Sequence, residues 1–214
     1  GFFLQSMGLF KRNVAEIDVV FPIVHGANVE DGTLAGYLDT LGIPYVGSRV
    51  LGSAIGQDKV VMKQIFESCD LPIVPYVWFF DTEYLNDSEK YAKEIKKLGY
   101  PVIVKPVNLG SSVGIQIAKS REELEEAIEN AFTYSKKILV EKAFKNLQEI
   151  NCSVIGDYEF AKVSECEEPI KSDDILSYND KYVSGGKKIG GEKGMNVGGL
   201  QLPANIPENI KEEI

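Results

Sequence analysis

Residues 102–115 (VIVKPVNLGSSVGI) join an apolar run to a lysine, Lys105, and then to a loop holding two glycines and two serines. Such a loop can bring backbone N–H groups and hydroxyls against phosphate oxygens, with the lysine as counter-charge. No G-x-x-x-x-G-K-[ST] loop occurs in the chain. The glycine spacing, and the strand pattern that follows where a helix would be needed, also exclude a dinucleotide fingerprint. The same residues suit an ordinary hairpin turn with a solvated lysine. A second candidate is ILVEKAF, residues 138–144, followed by Glu149. A strand ending in Glu141-Lys142 can offer a backbone edge and a carboxylate to adenine and ribose, or can simply carry a surface charge pair. A third is His25, at the end of an apolar run and followed by Glu30 and Asp31. Open α/β sheets bind ligands at that end of a strand, although a lone histidine also serves structural ends. The fourth is Lys181-Tyr182, inside a long polar stretch. Its lysine could close over a phosphate or remain a solvated loop residue.

These groups need a scaffold, and the pattern supplies one. Residues 18–24 (DVVFPIV) are nearly continuously apolar, which predicts a strand buried on both faces of a parallel sheet. Asp31 then caps a helix to about residue 41, stopped by Gly42, and residues 43–46 read as a short strand. That β–loop–α–β order predicts a doubly wound sheet. Further along, Asp58 caps a helix over 59–67, residues 74–80 form a strand, and a helix over 88–98 ends at Gly99. Strands follow at 102–104 and from 115. Ser120 opens a capping box with Glu123, with Leu124, Ile128 and Phe132 on one helical face. Residues 138–140 form a strand ending at Glu141, and 149–155 and 159–164 form two more. From 166 to 200 no hydrophobic period is visible, which predicts a lid poorly ordered without ligand. Pro207, with Ile210 and Ile214 one turn apart, marks a helix just beginning. That ending, and the opening Gly1 in place of a methionine, predict a segment of a longer protein.

A net charge of −9 over 214 residues disfavours nucleic acid and anionic membranes as partners. A nucleotide would need a local cluster of lysines and N–H groups to override that field. There is no apolar run long enough to span a bilayer and no basic-then-apolar leader. Cys69, Cys152 and Cys166 are odd in number and lack metal-ligand or redox spacing, which fits a reducing cytoplasm. A single histidine argues against zinc.

Taken in order, the motifs resemble the D-alanine–D-alanine ligase family of ATP-grasp enzymes. They are His25-Gly26 with Glu30-Asp31-Gly32-Thr33, Asp58-Lys59, Val104-Lys105-Pro106, Gly110-Ser111-Ser112-Val113-Gly114, Glu141, Glu149, Lys181-Tyr182 and Pro203-Ala204. The likeness runs from about residue 17 to the end. It implies that Lys59 and Lys105 hold ATP phosphates and that Ser111 and Ser112 cover them, Ser111 also joining a hydrogen-bond triad near the substrates. It further implies that Glu141, Lys142 and Phe144 flank adenine, that Glu149 binds ribose and that His25 lies near the first D-alanine. Lys181 would contact the γ-phosphate from the lid, and Tyr182 would bond to the triad. Mg2+ is implied as well, with its ligands expected beyond Ile214, together with a cytoplasmic homodimer at full length. The family's N-terminal glycine loop and its glutamate have no counterpart here.

The expected fold is therefore α/β. A remnant of an open parallel-sheet (pre-ATP-grasp) domain, residues 1–50, precedes an ATP-grasp fold whose second lobe is incomplete. The first lobe is expected over 51–140 and the second from 141 to 214, with the lid at about 166–200 and ATP between the lobes. The implied activity joins two D-alanines through an acyl phosphate, for peptidoglycan precursors. A related enzyme joining D-alanine to D-lactate or D-serine is the alternative. The chain alone is expected to bind nucleotide without turnover. A nucleotide-binding module without catalysis, or an interaction module, are rivals of other classes. Nucleotide titration and amino-acid-dependent phosphate release separate them.

Overall fold

A computed structural model describes residues 1–6, 10, 12–110, 112–144, 147–169 and 200–214. Ser111, Lys181, Tyr182 and most of the expected lid (170–199) lie outside the described residues. The chain divides into two compact units, residues 1–110 with 114–142, and residues 111–113 with 143–214.

The first unit opens with an antiparallel hairpin, β1 (Phe2–Gln5) and β2 (Asn13–Ile17). The buried strand expected at 18–24 is not formed. Val20 makes only an isolated parallel bridge to Tyr45, with Val20 N–H donating to Pro44 at 2.8 Å and Val46 N–H to Val20 at 2.9 Å. Phe21 and Ile23 are 68% and 77% exposed. An apolar run becomes a buried strand only where neighbours pair with it on both sides, and Pro22 has no N–H to offer. Helix α1 (Thr33–Leu41) follows, and Gly42 ends it in the left-handed conformation. The expected cap, Asp31, instead holds the preceding turn, accepting from Asn28 N–H at 2.7 Å and Thr33 N–H at 2.9 Å. Helix α2 (Arg49–Gln57) has no counterpart in the sequence-based expectation.

Next comes α3 (Lys59–Ser68), capped by Asp58 as expected. A four-stranded antiparallel sheet of order β3-β6-β4-β5 is built from β3 (Tyr76–Phe80), β4 (Val102–Pro106), β5 (Gln116–Ala118) and β6 (Lys137–Lys142). Between its strands lie α4 (Asp81–Asn86), α5 (Ser88–Leu98) and α6 (Arg121–Phe132). The period of two sorts the strands. Phe79, Val102, Val104, Ile138 and Val140 face the main core with Ile95, Leu124 and Ile128 of the helices. The alternate residues Tyr76, Trp78 and Leu139 pack with Val60 of α3 on the other side. Lys105 and Glu141 share this second parity, so the sheet delivers both to the α3 face.

The hairpin between β4 and β5 returns through Gly114 at φ 69°. A Cβ there would stand 2.7 Å from Tyr134 Cδ2 and 2.9 Å from Pro106 Cγ. Gly114→Ala is expected to lower unfolding free energy by roughly 1–3 kcal/mol, from left-handed strain plus overpacking. Urea denaturation checks this, and equal midpoints would contradict it.

In the second unit β7 (Val154–Gly156) and β8 (Ala161–Val163) form a hairpin, shorter than the two strands expected. Below it Asn151 bridges Glu167. Strands β9 (Glu168–Pro169) and β10 (Leu200–Gln201) pair antiparallel, and helix α7 (Glu208–Glu213) follows Pro207 as expected. Among the described residues no helix is long and apolar enough to cross a membrane.

Candidate functional site

The site is assembled from one helix start and two strand ends of the first unit. Asp58 Oδ1 accepts from the N–H groups of Val60 (2.9 Å) and Val61 (3.0 Å), which fixes where α3 begins. Lys137, on β6, closes on the same carboxylate at 2.9 Å while its ammonium lies 4.9 Å from the Trp78 ring centre. Burial pushes the Asp58 carboxyl up, but the Val61 N–H and Lys137 outweigh it and hold it below the usual range.

Lys59 is therefore the first residue of α3. Its ammonium donates to the carbonyls of Leu109 (2.5 Å) and Val107 (3.2 Å), directly at the loop that leaves β4. Its pKa is lowered from 10.5 to about 8, first by burial and then by the positive charge of Lys105. Four residues on, on the same side of the helix, Lys63 donates to Val74 O at 3.2 Å and meets Glu141 Oε2 at 2.9 Å as an ion pair rather than a well-aligned hydrogen bond. The other oxygen of Glu141 accepts from Lys105. Burial raises the Glu141 carboxyl, but Lys105 and Lys63 together reverse this and hold it below the ordinary range. Two ammonium groups, Lys63 and Lys105, thus share one buried carboxylate, while Lys59 holds the adjoining loop carbonyls. Asp58 is already engaged by Lys137, so the local charge is positive in a chain that is acidic overall. Such a cluster can accept an anion at the mouth of the β4–β5 loop, and phosphate oxygens fit it by charge and donor type.

The solvated lysine of an ordinary hairpin is not what forms, since Lys105 is paired and partly buried. Glu141 is likewise a buried bridge and not a surface charge. Lys142 donates to the carbonyls of Gly99 (2.8 Å) and Tyr100 (3.2 Å). In the second unit Phe144 is exposed, while Ser112 and Glu149 are half-buried. His25 is exposed, with Nδ1 3.9 Å from Glu30. Close by in sequence, Pro22, Val24, Glu30, Leu34, Tyr45 and Arg49 help line a cavity of about 160 Å³. Among the described residues no three of His, Cys, Asp and Glu converge as a metal site. Lys63 was missed in the sequence. Its only signal was the i, i+4 spacing from Lys59 on a well-capped helix.

Residues 65–214 match the family model described as D-ala D-ala ligase C-terminus, and residues 4–48 match D-ala D-ala ligase N-terminus. The D-alanine–D-alanine ligase of Thermoanaerobacter sp. (strain X514) is 43% identical over 198 residues, covering 92% of this chain and 52% of that protein. That of Bacillus velezensis is 45% identical over 201 residues, covering 94% and 53%. Among solved structures, the VanG D-Ala:D-Ser ligase from Enterococcus faecalis superposes with a TM-score of 0.73 at 31% identity, covering 94% of this chain and 54% of that one. The D-alanine-D-alanine ligase from Coxiella burnetii gives 0.66 at 32% identity, covering 73% and 45%. The chain spans about half the length of the curated relatives it matches.

Proposed function

The chain belongs to the D-alanine–D-alanine ligase family, and we propose that it supplies the nucleotide-phosphate cradle of an ATP-dependent ligase that joins two D-alanines. The observation that carries this reading is that Lys59 sits on the carbonyls of the β4–β5 loop beside Lys105, while Lys63 and Lys105 share Glu141, in an otherwise acidic chain. In the proposed reaction a carboxylate oxygen of the first D-alanine attacks the γ-phosphorus, and ADP leaves with the bond electrons. The amine of the second D-alanine then attacks the acyl phosphate carbon, and inorganic phosphate leaves. Lys59 and Lys105 take the phosphates, exchanging a loop carbonyl and a carboxylate partner for phosphate oxygens. Lys63 keeps Glu141 neutralised meanwhile. Mg2+ would supply further counter-charge to the phosphates.

The remaining assignments belong to the same proposal and rest on the family resemblance. Ser111 and Ser112 cover the phosphates, Lys142 and Phe144 with the backbone of Glu141 flank adenine, and Glu149 holds ribose. His25 lies by the first D-alanine, and Lys181 and Tyr182 close the site. The division into residues 1–50, 51–140 and 141–214, a homodimer and a cytoplasmic location are proposed on the same ground. The test is phosphate release with ATP, Mg2+ and D-alanine, in a protein carrying this chain at its relatives' full length. Release that depends on D-alanine, with the dipeptide as product, is expected. Release only when D-serine or D-lactate is added would establish the related specificity instead, and no amino-acid dependence would overturn the reading.

A further inference from the structure

Cys152 and Cys166 lie in separate segments, each next to one partner of the Asn151–Glu167 bridge, and their side chains interact. Asn151 and Glu167 exchange both backbone bonds, with Asn151 N–H to Glu167 O at 2.8 Å and Glu167 N–H to Asn151 O at 2.9 Å. One step inward along an antiparallel ladder from such a pair comes a non-hydrogen-bonded pair, which here is Cys152 opposite Cys166. Pairs of that kind bring Cα atoms to about 4.5 Å, with side chains on one face. That spacing lies within the range a disulfide spans, about 4.4–6.8 Å. On the far side Ser164 N–H donates to Ser153 O at 2.8 Å, in the register of β7–β8, so the register shifts by one residue at Glu165 between the hairpin and the pair. The side chains agree with the register. Burial raises the Cys166 thiol, and the adjacent Cys152 sulfur adds to the effect. Cys152 Sγ donates to Ser164 O at 3.4 Å.

We infer that Cys152 and Cys166 form a peroxide-oxidisable dithiol, in which Cys152 is attacked first and Cys166 resolves the product to an intramolecular disulfide. The asymmetry follows from exposure, because Cys152 is half-buried whereas Cys166 is 4% exposed. The Cys152 thiolate attacks one oxygen of hydrogen peroxide. The O–O bond breaks and hydroxide leaves to become water, giving a sulfenic acid on Cys152. Cys166 sulfur then attacks Cys152 sulfur, the S–O bond breaks, and the Cys166 proton leaves with that oxygen as a second water. Two thiols lose two electrons and one peroxide is reduced to two waters. The crosslink would close the base of the β7–β8 hairpin. It would also tie in the Ala204 segment, whose N–H donates to Cys166 O at 2.8 Å. Cys69, exposed and distant in sequence, takes no part.

The test uses the 214-residue chain carrying Cys69→Ser, treated with an equivalent of hydrogen peroxide. Thiol titration after denaturation should find both thiols gone, and the intact mass should fall by two hydrogens. The product should run as monomer, and dithiothreitol should restore it. With Cys166→Ser added, dimedone should label Cys152. Closure in urea-unfolded chain should be slower by about tenfold or more, because folding supplies the alignment; this comparison requires no change at the buried cysteine. Surviving thiols, added oxygen without a disulfide, intermolecular dimers, or equal rates in folded and unfolded chain would each overturn the inference.

Discussion

Glu141→Ala is expected to destabilise the first unit by about 3–5 kcal/mol, the usual cost of removing one partner from a buried ion pair. Glu141 is 7% exposed and is the shared counter-charge of Lys63 and Lys105. Without it two ammonium groups remain close together in a poorly solvated place, and neither helix nor strand can swing away without opening the packing of Val60 on Leu139. Replacing all three charges together (Lys63→Met, Glu141→Leu, Lys105→Met) should cost far less, since no charge is left uncompensated. The pH dependence follows from the lowered carboxyl pKa. The contribution is complete above the ordinary carboxylate range and is lost as pH falls through the folded-state value. Urea denaturation followed by fluorescence of Trp78, the chain's single tryptophan, measures each case. A loss below about 1 kcal/mol for the alanine variant would contradict the bridge.

Lys59→Met should act in the opposite direction on stability while weakening phosphate binding. A lysine held near pKa 8 binds fewer protons in the folded than in the unfolded chain between about pH 8 and 10.5. Stability therefore rises with pH across that window, and at neutral pH the charged lysine opposes folding. The shift corresponds to roughly 3 kcal/mol, and losing the bonds to Val107 and Leu109 reduces the net gain to about 1–2 kcal/mol. An anion near the ammonium raises its pKa again. Nucleotide affinity should therefore fall as pH climbs above about 8, with proton uptake on binding, and this dependence should vanish in the variant. Calorimetry in buffers of different ionisation enthalpy reads the proton count. A variant less stable than its parent, or a parent affinity flat from pH 7 to about 9.5, would show that Lys59 is not a strained anion ligand.

What the sequence revealed was mostly what is decided locally. Asp58 and Ser120 announced their helices because a cap side chain reaches only two or three residues onward, and Gly99 marked a helix end for the same reason. The strands carrying Lys105 and Glu141 were legible from short apolar runs of alternate facing. Helix α2 was hidden by Gly52, Ser53 and Gly56, which lower its helical propensity. Residues 18–24 misled because hydrophobicity predicts burial without saying which strands will provide it. The Lys63–Glu141–Lys105 bridge and the Cys152–Cys166 pair depend on strand register across distant segments, and no local pattern encodes that. Glu141 is the instructive case. Its position at a strand end was read correctly, yet its carboxylate turns out to organise two lysines.

The central claim is that this lysine cluster receives the phosphates of a nucleotide. Calorimetric titration of ATP into the 214-residue chain and into Lys105→Ala, each first shown to be folded by circular dichroism, tests it most directly. A charge-assisted phosphate contact is worth roughly 1.5–3 kcal/mol, so the parent should bind saturably and the variant at least about tenfold more weakly. Equal affinity in the two chains, or no saturable binding by the parent, would contradict the account.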